Sequence, residues 1–400
     1  MCIFLYIQVL MFFMVLQCQY HGLRYHNRCL FAILLVWGLI FGLRAYDVGN
    51  DTPMYVSFFS GETISGLGSY DIDNDTTEYG FTIVVNFISR ITNNPTFFLS
   101  IMSITAFVLL YPFYKDKKMG LWSLLCFILM SSSFSAYIIA LRQSMSIIFI
   151  LLGIHLFEKI KGDATLCFDN TQCHIKVNKV SQRIGLIKSK FKSVNSILGL
   201  SLCLFSIYIH RTTVLLLPIL LFCYIFRFNK KNAYIVVCLV FFVSQIFQNI
   251  IGDYFDIVLS FVGGVDNENV NLLADRYADN FASSSMTLLK YLSWCVPMLL
   301  TVRFTPEERI YSFQFACLMF GFSAYMLLGS ATMCIRISML FQLIGFSCFI
   351  PELVEKKTNL KYIYILFTLL YFYSAYQSYV RWIAAPYDST LPFYFIWEQH

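Results

Sequence analysis

The sequence has few charged residues, and this shortage excludes an ordinary soluble protein. Only 13% of its 400 residues are charged, whereas soluble domains carry about 25%. Apolar residues make up 58% of the chain, with 41 Phe and 26 Tyr among them, and the mean hydropathy is +0.66. We therefore expect an integral membrane protein, and no segment has the composition of a separate soluble domain.

The sequence also lacks a full set of metal ligands. Most of the 13 cysteines stand singly in apolar segments, where a thiol behaves as a small buried hydrophobe. Cys167 and Cys173 share one loop with His174, and this set falls short of the four ligands of a structural zinc site. We predict neither a metal site nor a cofactor.

Apolar segments long enough to cross, or nearly cross, a hydrocarbon layer about 30 Å thick recur along the whole chain. Because these segments are unbroken, they predict α-helices. We expect an all-α, polytopic integral membrane protein with about 12 transmembrane helices, in which residues 1–400 form a single polytopic membrane domain. The segments are 2–17, 29–43, 96–113, 119–138, 141–157, 196–209, 212–226, 233–250, 288–302, 310–328, 334–350 and 361–380.

Basic residues occupy every second loop between these segments, and the longest such loop, about 158–195, is rich in Lys and Arg. Since basic loops stay in the cytoplasm, they account for the net charge of +6, and no nucleic-acid partner is predicted. We expect the loop 158–195 to be a topological anchor, with a docking surface for cytoplasmic partners as the alternative.

Two acidic loops lie on the opposite, extracytoplasmic side of the predicted topology. They span about 44–95 and 251–287, and Arg276 is the lone basic residue of the second. Both loops mix aromatic residues with carboxylates, Gly, Asn and Ser. This composition suits the binding of sugar hydroxyls, and it equally suits an ordinary solvated loop.

Four arginines interrupt or end apolar segments at the extracytoplasmic level. They are Arg44, Arg142 (followed by Gln143), Arg211 and Arg336. Charges within apolar helices are costly and are normally paired or functional. A dianionic pyrophosphate would satisfy these groups, because guanidinium presents a planar fork that matches phosphate oxygens. The alternative is that each arginine pairs with an extracytoplasmic acid or caps a helix.

Three residues at the same level could take part in proton transfer. His210 stands next to Arg211, which disfavours a second positive charge and favours a neutral imidazole. Asp51 and Glu78 are the carboxylate alternatives, although each could instead cap a helix or pair with an arginine. Asp51 precedes Thr-Pro, which predicts an N-cap and a short helix that carries Tyr55.

Several short motifs, taken in their order along the chain, resemble the EpsG-like family of bacterial membrane proteins, which are relatives of Wzy-type polysaccharide polymerases. The chain departs from the usual family pattern at the acidic insert before Glu78 and at the Arg-Thr that follows His210. The matching motifs are LRAYDVGNDTPMY (Leu43–Tyr55), TEYGFTIVVNFIS (Thr77–Ser89), ALRQSMSI (Ala140–Ile147), IYIHRTTVLLLPI (Ile207–Ile219) and CIRISMLF (Cys334–Phe341).

The resemblance implies a polymerase that joins oligosaccharide repeat units carried on undecaprenyl pyrophosphate, at the outer face of the bacterial cytoplasmic membrane. In that reaction Arg142, Arg211 and Arg336 would hold the pyrophosphate, and Arg44 would assist or bind the acceptor. Gln143, Tyr55 and Arg276 join the predicted substrate-binding set. His210, Asp51 or Glu78 would take the acceptor proton. A chain-length regulator and a flippase are the protein partners that this role implies.

Three other functions remain open from the sequence. A flippase for lipid-linked oligosaccharides would also use arginines for pyrophosphate, but its cations should line the full membrane depth. A ligase that moves finished glycan to another acceptor uses nearly the same chemistry. In a non-catalytic assembly subunit, the arginines would be structural ion-pair partners.

Overall fold

The computed structural model describes residues 26–49, 51–61, 78–115, 120–129, 131–158, 194–244, 288–328, 337–346 and 395–398, with a few isolated positions nearer the two ends. These ranges are helical and contain no strand, which confirms the all-α prediction. The predicted loops 158–195 and 251–287 lie almost wholly outside the described residues.

Fifteen helices, numbered along the chain, make up the described ranges. They are α1 His26–Gly42, α2 Thr52–Ser60, α3 Tyr79–Ser89, α4 Pro95–Val108, α5 Tyr111–Lys115, α6 Gly120–Leu129, α7 Ser131–Ile139, α8 Leu141–Glu158, α9 Val194–Ile209, α10 Thr213–Ile225, α11 230–244, α12 Leu288–Phe304, α13 Glu307–Ile310, α14 Phe313–Leu328 and α15 Ile337–Phe346. A 3₁₀ turn, Ile396–Glu398, follows near the C-terminus.

Many of these helices expose large apolar side chains. Phe87 on α3, Phe205 on α9 and Phe242 on α11 are all exposed, and such surfaces are unfavourable in water. Within the described residues, the span Pro95–Lys115, which comprises α4 and α5, is the one long and apolar enough to cross a membrane, and nine further apolar helices have 10–17 residues. The helical, apolar surface agrees with the membrane protein expected from the composition.

The first acidic loop contains more structure than the sequence indicated. Residues 44–95 include both α2 and α3. The predicted helix after Asp51 is confirmed as α2, with Pro53 in its first turn, but the side chain of Asp51 makes no capping hydrogen bond. The helix ends at Gly61, whose φ of 69° favours glycine.

The chain divides into two compact units. The first comprises Met1–Ile225 and Ser374–His400, and the second comprises Phe226–Tyr373. The predicted site residues that the structure describes all belong to the first unit. In the second unit, the ring centroids of Trp294 and Tyr325 lie 4.2 Å apart, and the Tyr291 hydroxyl donates to the Ser244 carbonyl at 3.4 Å.

Glycines allow pairs of helices in the first unit to approach closely. A Cβ atom at Gly38 of α1 would lie 2.7 Å from the Cα of Ile104 in α4, and one at Gly42 would lie 2.6 Å from the Cα of Ser100. Gly153 of α8 and Gly199 of α9 face each other in the same way. Small residues four apart let helix backbones meet, as they do in membrane helices generally. These contacts pack α1 against α4 and α8 against α9.

Candidate functional site

Helix α3 begins against the end of α9, and a glycine makes this possible. A Cβ atom at Gly80 would lie 2.6 Å from the carbonyl oxygen of Tyr208, so no larger residue fits without movement. Glu78 occupies the N-cap position of α3, and His210 directly follows the last turn of α9. The close approach of the two backbones therefore brings the Glu78 carboxyl to the His210 ring.

The Glu78 carboxylate joins two of the predicted site residues. Its Oε2 accepts a hydrogen bond from Nη1 of Arg142 at 2.7 Å, and its Oε1 lies 2.8 Å from Nδ1 of His210. The side chains of Glu78 and His210 are 9% and 12% exposed, whereas that of Arg142 is 20% exposed. Residues from three separate parts of the sequence thus form one partly buried cluster, which we call the Glu78 cluster.

The charge state of Glu78 follows from its two partners. Burial alone raises the pKa of this carboxyl group, but the hydrogen bond to His210 and the charge of Arg142 outweigh burial and lower the pKa to about 2. The carboxylate is therefore ionised at neutral pH. The sequence offered Glu78 as an acid–base residue, as a helix cap or as an arginine partner, and in the structure its carboxylate pairs with Arg142.

Ionisation of Glu78 determines which nitrogen of His210 carries a hydrogen. A carboxylate can only accept hydrogen bonds, so Nδ1 of His210 is the donor in the 2.8 Å contact. In the neutral ring, the lone pair is then on Nε2. Among the described residues, no hydrogen bond is made to this Nε2, which can accept a proton.

Arg142 is held by aromatic rings as well as by Glu78. Its guanidinium carbon lies 5.8 Å from the ring centroids of both Tyr55 and Phe81, within the range of a cation–π interaction. The Tyr55 hydroxyl also accepts from the backbone N–H of Arg142 at 3.4 Å. Helix α2, which carries Tyr55, therefore supports the start of α8.

The second edge of the Arg142 guanidinium, formed by Nε and Nη2, makes only one weak hydrogen bond, to a sulfur atom. Nη1 binds Glu78, whereas Nη2 makes only a 4.0 Å contact with the sulfur of Met54. Nε is buried and has no hydrogen-bond partner among the described residues. Nε and Nη2 form the planar fork that binds two phosphate oxygens.

The start of α10 is tied to α8 close to the cluster. The hydroxyl groups of Ser146 and Thr213 are hydrogen-bonded to each other. Arg142 lies in the first turn of α8, and Glu78 precedes the first turn of α3. Helix N-termini carry partial positive charge. The starts of α3 and α8 thus add partial positive charge beside the Glu78 carboxylate.

Arg44 lies in a different environment. Its side chain is fully buried, and its guanidinium donates to the Thr52 hydroxyl (3.1 Å), the Phe41 carbonyl (2.8 Å) and the Ser103 hydroxyl (3.5 Å). Burial lowers the pKa of Arg44 to about 10, although the charges of Tyr55 and Asp51 act against this shift. Arg44 therefore remains protonated at neutral pH.

The other predicted site residues lie around these two arginines or outside the described ranges. The Arg211 side chain is exposed, while its backbone N–H donates to Oε1 of Glu78 at 3.5 Å. Gln143 is buried next to Arg142, and Asp51 is half-buried at the start of α2. Arg276 and Arg336 lie outside the described residues.

Sequence reasoning did not identify several residues that build the site. Met54 and Phe81 contact Arg142, and Gly80 permits the approach of α3 to α9. The order Glu-Tyr-Gly-Phe at 78–81 contains a signal, because a glycine in the first turn of an apolar helix indicates a close backbone approach. That signal does not say which helix approaches.

The arrangement supports anion binding and proton transfer by side chains. Among the described residues, no group of three or more His, Cys, Asp and Glu residues is placed to hold a metal ion. The Glu78–His210 pair resembles the carboxylate–histidine pairs in which the acid orients a general base. Arg142 adds a cation whose Nε and Nη2 make no hydrogen bond to Glu78.

Comparison with known proteins gives a family for part of the chain. Residues 27–168 match the model of the EpsG family, and this segment contains Arg44, Tyr55, Glu78 and Arg142. No curated protein and no solved structure matches the chain. The resemblance predicted from the sequence is thus confirmed over residues 27–168, and the EpsG family, related to Wzy-like polymerases, indicates a membrane protein of polysaccharide biosynthesis.

Proposed function

We propose that this protein is a polysaccharide polymerase that joins oligosaccharide repeat units carried on undecaprenyl pyrophosphate. The family match supports a role in polysaccharide biosynthesis on a lipid-linked sugar. One observation carries the more specific proposal, namely that Glu78 bridges Arg142 and His210. A group for the leaving pyrophosphate and a group for the acceptor proton thus lie on either side of one carboxylate.

The proposal includes a topology. Residues 1–400 form a single polytopic domain of about 12 transmembrane helices, the basic loops lie in the cytoplasm, and the Glu78 cluster faces the opposite side of the bacterial cytoplasmic membrane. The exposed apolar side chains of α3, α9 and α11 support a lipid environment. A chain-length regulator and a flippase are the proposed protein partners.

The proposed reaction transfers the growing glycan from one lipid carrier to the next repeat unit. An acceptor hydroxyl attacks the anomeric carbon of the donor, while the bond from that carbon to the pyrophosphate oxygen breaks. The acceptor proton passes to Nε2 of His210, and the lipid pyrophosphate leaves with the bonding electrons. The Glu78 carboxylate stabilises the imidazolium that forms, as the acid does in other carboxylate–histidine pairs.

Arg142 is the proposed ligand of the leaving group. Its Nε–Nη2 edge would bind two pyrophosphate oxygens and stabilise the charge that develops as the glycosidic bond breaks. The exposed side chain of Arg211 and the predicted groups of Arg336 and Arg276 would complete the charge neutralisation. Gln143 and Asp51 remain proposed contributors to substrate binding and proton transfer.

The experiment that tests this proposal is a polymerisation assay with the full chain in lipid nanodiscs. The substrate is the lipid-linked repeat unit extracted from cells in which this gene is deleted, and the products are separated by size. The polymerase proposal predicts a ladder of repeat units. Transfer of the glycan to a different acceptor without elongation would show a ligase, and lipid movement across liposomes without elongation would show a flippase.

A conservative substitution then tests the proposed role of Arg142. Arg142→Lys retains the charge but loses the fork, so we expect elongation to fall about 100-fold, the size of effect that misplacement of a reacting group produces. Arg90→Lys is the matched control, because Arg90 is exposed at the opposite end of α3. Equal elongation by the Arg142→Lys variant and the wild type would remove Arg142 from the pyrophosphate site.

A further inference from the structure

We infer that Arg44 is a positioning residue, which sets the place of Arg142 through helix α2 and does not touch the substrate itself. This inference rests on the proposed function for its activity readout, and a second readout below is independent of that function. The role predicted for Arg44 is to assist the arginines that hold the pyrophosphate or to bind the acceptor. Its contacts in the structure indicate a different role.

The guanidinium of Arg44 connects the end of α1 to the start of α2. Nη1 donates to the carbonyl of Phe41 in the last turn of α1, and Nε donates to the hydroxyl of Thr52, the first residue of α2. The Thr52 hydroxyl in turn donates to the Val48 carbonyl at 2.8 Å. The side chain thereby fixes both ends of the turn between the two helices.

The backbone at Arg44 is fixed from another direction. Arg44 forms an antiparallel bridge with Phe395, and the Ile396 N–H donates to the Leu43 carbonyl at 3.0 Å. Ser103 of α4 adds a 3.5 Å contact to the guanidinium. A fully buried side chain with these contacts is poorly placed to reach a substrate, but it can hold α2 in one position.

Helix α2 transmits this position to the Glu78 cluster. One turn after Thr52, the Tyr55 hydroxyl accepts from the backbone N–H of Arg142, and the Tyr55 ring lies beside its guanidinium. That N–H is in the first turn of α8, where backbone donors lack a partner within the helix. A shift of α2 therefore changes both the support of the Arg142 backbone and the direction of its fork.

Two hydroxyl partners of Arg44 provide a matched pair of variants. Thr52→Val and Ser103→Ala each remove one hydrogen bond from the same guanidinium. Only Thr52 belongs to α2, and Thr52→Val also removes the hydrogen bond to the Val48 carbonyl. In the ladder assay, we expect Thr52→Val to slow elongation about tenfold, since small misplacements of reacting groups have effects of this size. Ser103→Ala should elongate at close to the wild-type rate. Equal rates for the two variants would overturn the inference.

A double-mutant cycle distinguishes positioning through Tyr55 from general damage to the fold. Tyr55→Phe removes the hydroxyl that supports Arg142. If Thr52 acts through this contact, Thr52→Val should cost much less in the Tyr55→Phe background than in the wild type, because interacting residues are non-additive. The same fold-change in both backgrounds would contradict the inference, even if both variants were slow.

The second readout follows Arg142 directly and needs no elongation. Phenylglyoxal modifies accessible arginines, and the rate at Arg142 can be measured by peptide mass spectrometry on the full chain in nanodiscs. Thr52→Val should raise the rate at Arg142 severalfold over Ser103→Ala, with Arg90 modified equally in both. Equal rates at Arg142 would overturn the inference. A failed ladder in the wild type would instead count against the polymerase proposal alone.

Discussion

Arg44 and Arg142 share a residue type and a similar sequence setting, yet the structure surrounds them differently. Arg142 is one-fifth exposed and has an ionised carboxylate at 2.7 Å. Arg44 is fully buried, and its hydrogen bonds go to two hydroxyls and one carbonyl. A partly exposed cation that has one acidic partner can take an anionic ligand in addition, whereas a buried cation with neutral partners holds neighbouring segments together.

The main difference between the two arginines is that Arg142 pairs with the Glu78 carboxylate. We therefore expect the removal of this carboxylate to reduce elongation more than any other change. Glu78→Gln retains the shape and can still accept from Arg142, but its amide N–H₂ then faces Nδ1 of His210. The ring must place its hydrogen on Nε2, and the proposed base is lost. We expect elongation to fall about 10²–10⁴-fold, the usual contribution of general base catalysis. Glu307→Gln, an exposed conservative change, is the control.

Near wild-type elongation by the Glu78→Gln variant would mean that the Glu78–His210 pair does not transfer the proton. The proposal would then need another base, and Asp51 is the remaining carboxylate among the described candidates. Arg44 offers no corresponding experiment, because the described structure gives it no carboxylate hydrogen bond.

Glu78 should also make stability depend on pH. Its pKa is about 2 in the folded protein, below the ordinary value of 4.5, so the ionised group stabilises the fold above about pH 5. This contribution, about 3 kcal/mol for a shift of this size, should be lost as the pH falls from about 5 towards 2. Thermal unfolding in detergent at several pH values measures it as the difference between the wild type and Glu78→Gln.

The difference in stability between the wild type and Glu78→Gln reports the contribution of Glu78 alone, because all other carboxyl groups are present in both proteins. Glu307→Gln, a Glu-to-Gln change at an exposed position, is the control variant in the same measurement. A difference between the wild type and Glu78→Gln that stays constant from pH 7 to pH 3 would contradict the charge state assigned to Glu78.

The sequence predicted the helices and the candidate site residues better than it predicted the contacts between those residues. The apolar segments predicted an all-α membrane protein, and the Asp-Thr-Pro order predicted α2, because both depend on local composition and turn chemistry. The contact between Glu78 and His210 joins residues 132 positions apart, and no local pattern specifies it. The full burial of Arg44 has the same origin, since it depends on α4 and the C-terminal segment.

We expect the next largest effect on elongation from a change that disturbs the close approach of α3 to α9. A second glycine, in another pair of helices, provides the control. A Cβ atom at Gly80 would lie 2.6 Å from the Tyr208 carbonyl oxygen, and one at Gly38 would lie 2.7 Å from the Cα of Ile104. Gly80→Ala and Gly38→Ala should therefore destabilise the protein by similar amounts, about 1–3 kcal/mol. Only Gly80→Ala should also slow elongation, by about tenfold, because it moves Glu78 from His210.

Thermal unfolding and the ladder assay on both glycine variants check this prediction. A Gly38→Ala protein as slow as Gly80→Ala would show that elongation responds to helix packing in general. The special position of Gly80 beside the Glu78 cluster would then have no functional consequence.

The smallest effect is expected where the C-terminal segment meets Arg44. Ile396→Pro removes the N–H that donates to the Leu43 carbonyl and leaves the extended conformation of Phe395 in its bridge, which is the conformation favoured before proline. One net backbone hydrogen bond contributes about 1 kcal/mol, so we expect a small fall in the thermal midpoint and a loss of elongation of less than about threefold. Ile396→Val retains the N–H and should match the wild type. A large loss of elongation in the Ile396→Pro variant, with Ile396→Val unaffected, would mean that the C-terminal segment holds Arg44 in place more strongly than Thr52 does. The predicted order, in which Thr52→Val slows elongation more than Ile396→Pro, would then be wrong.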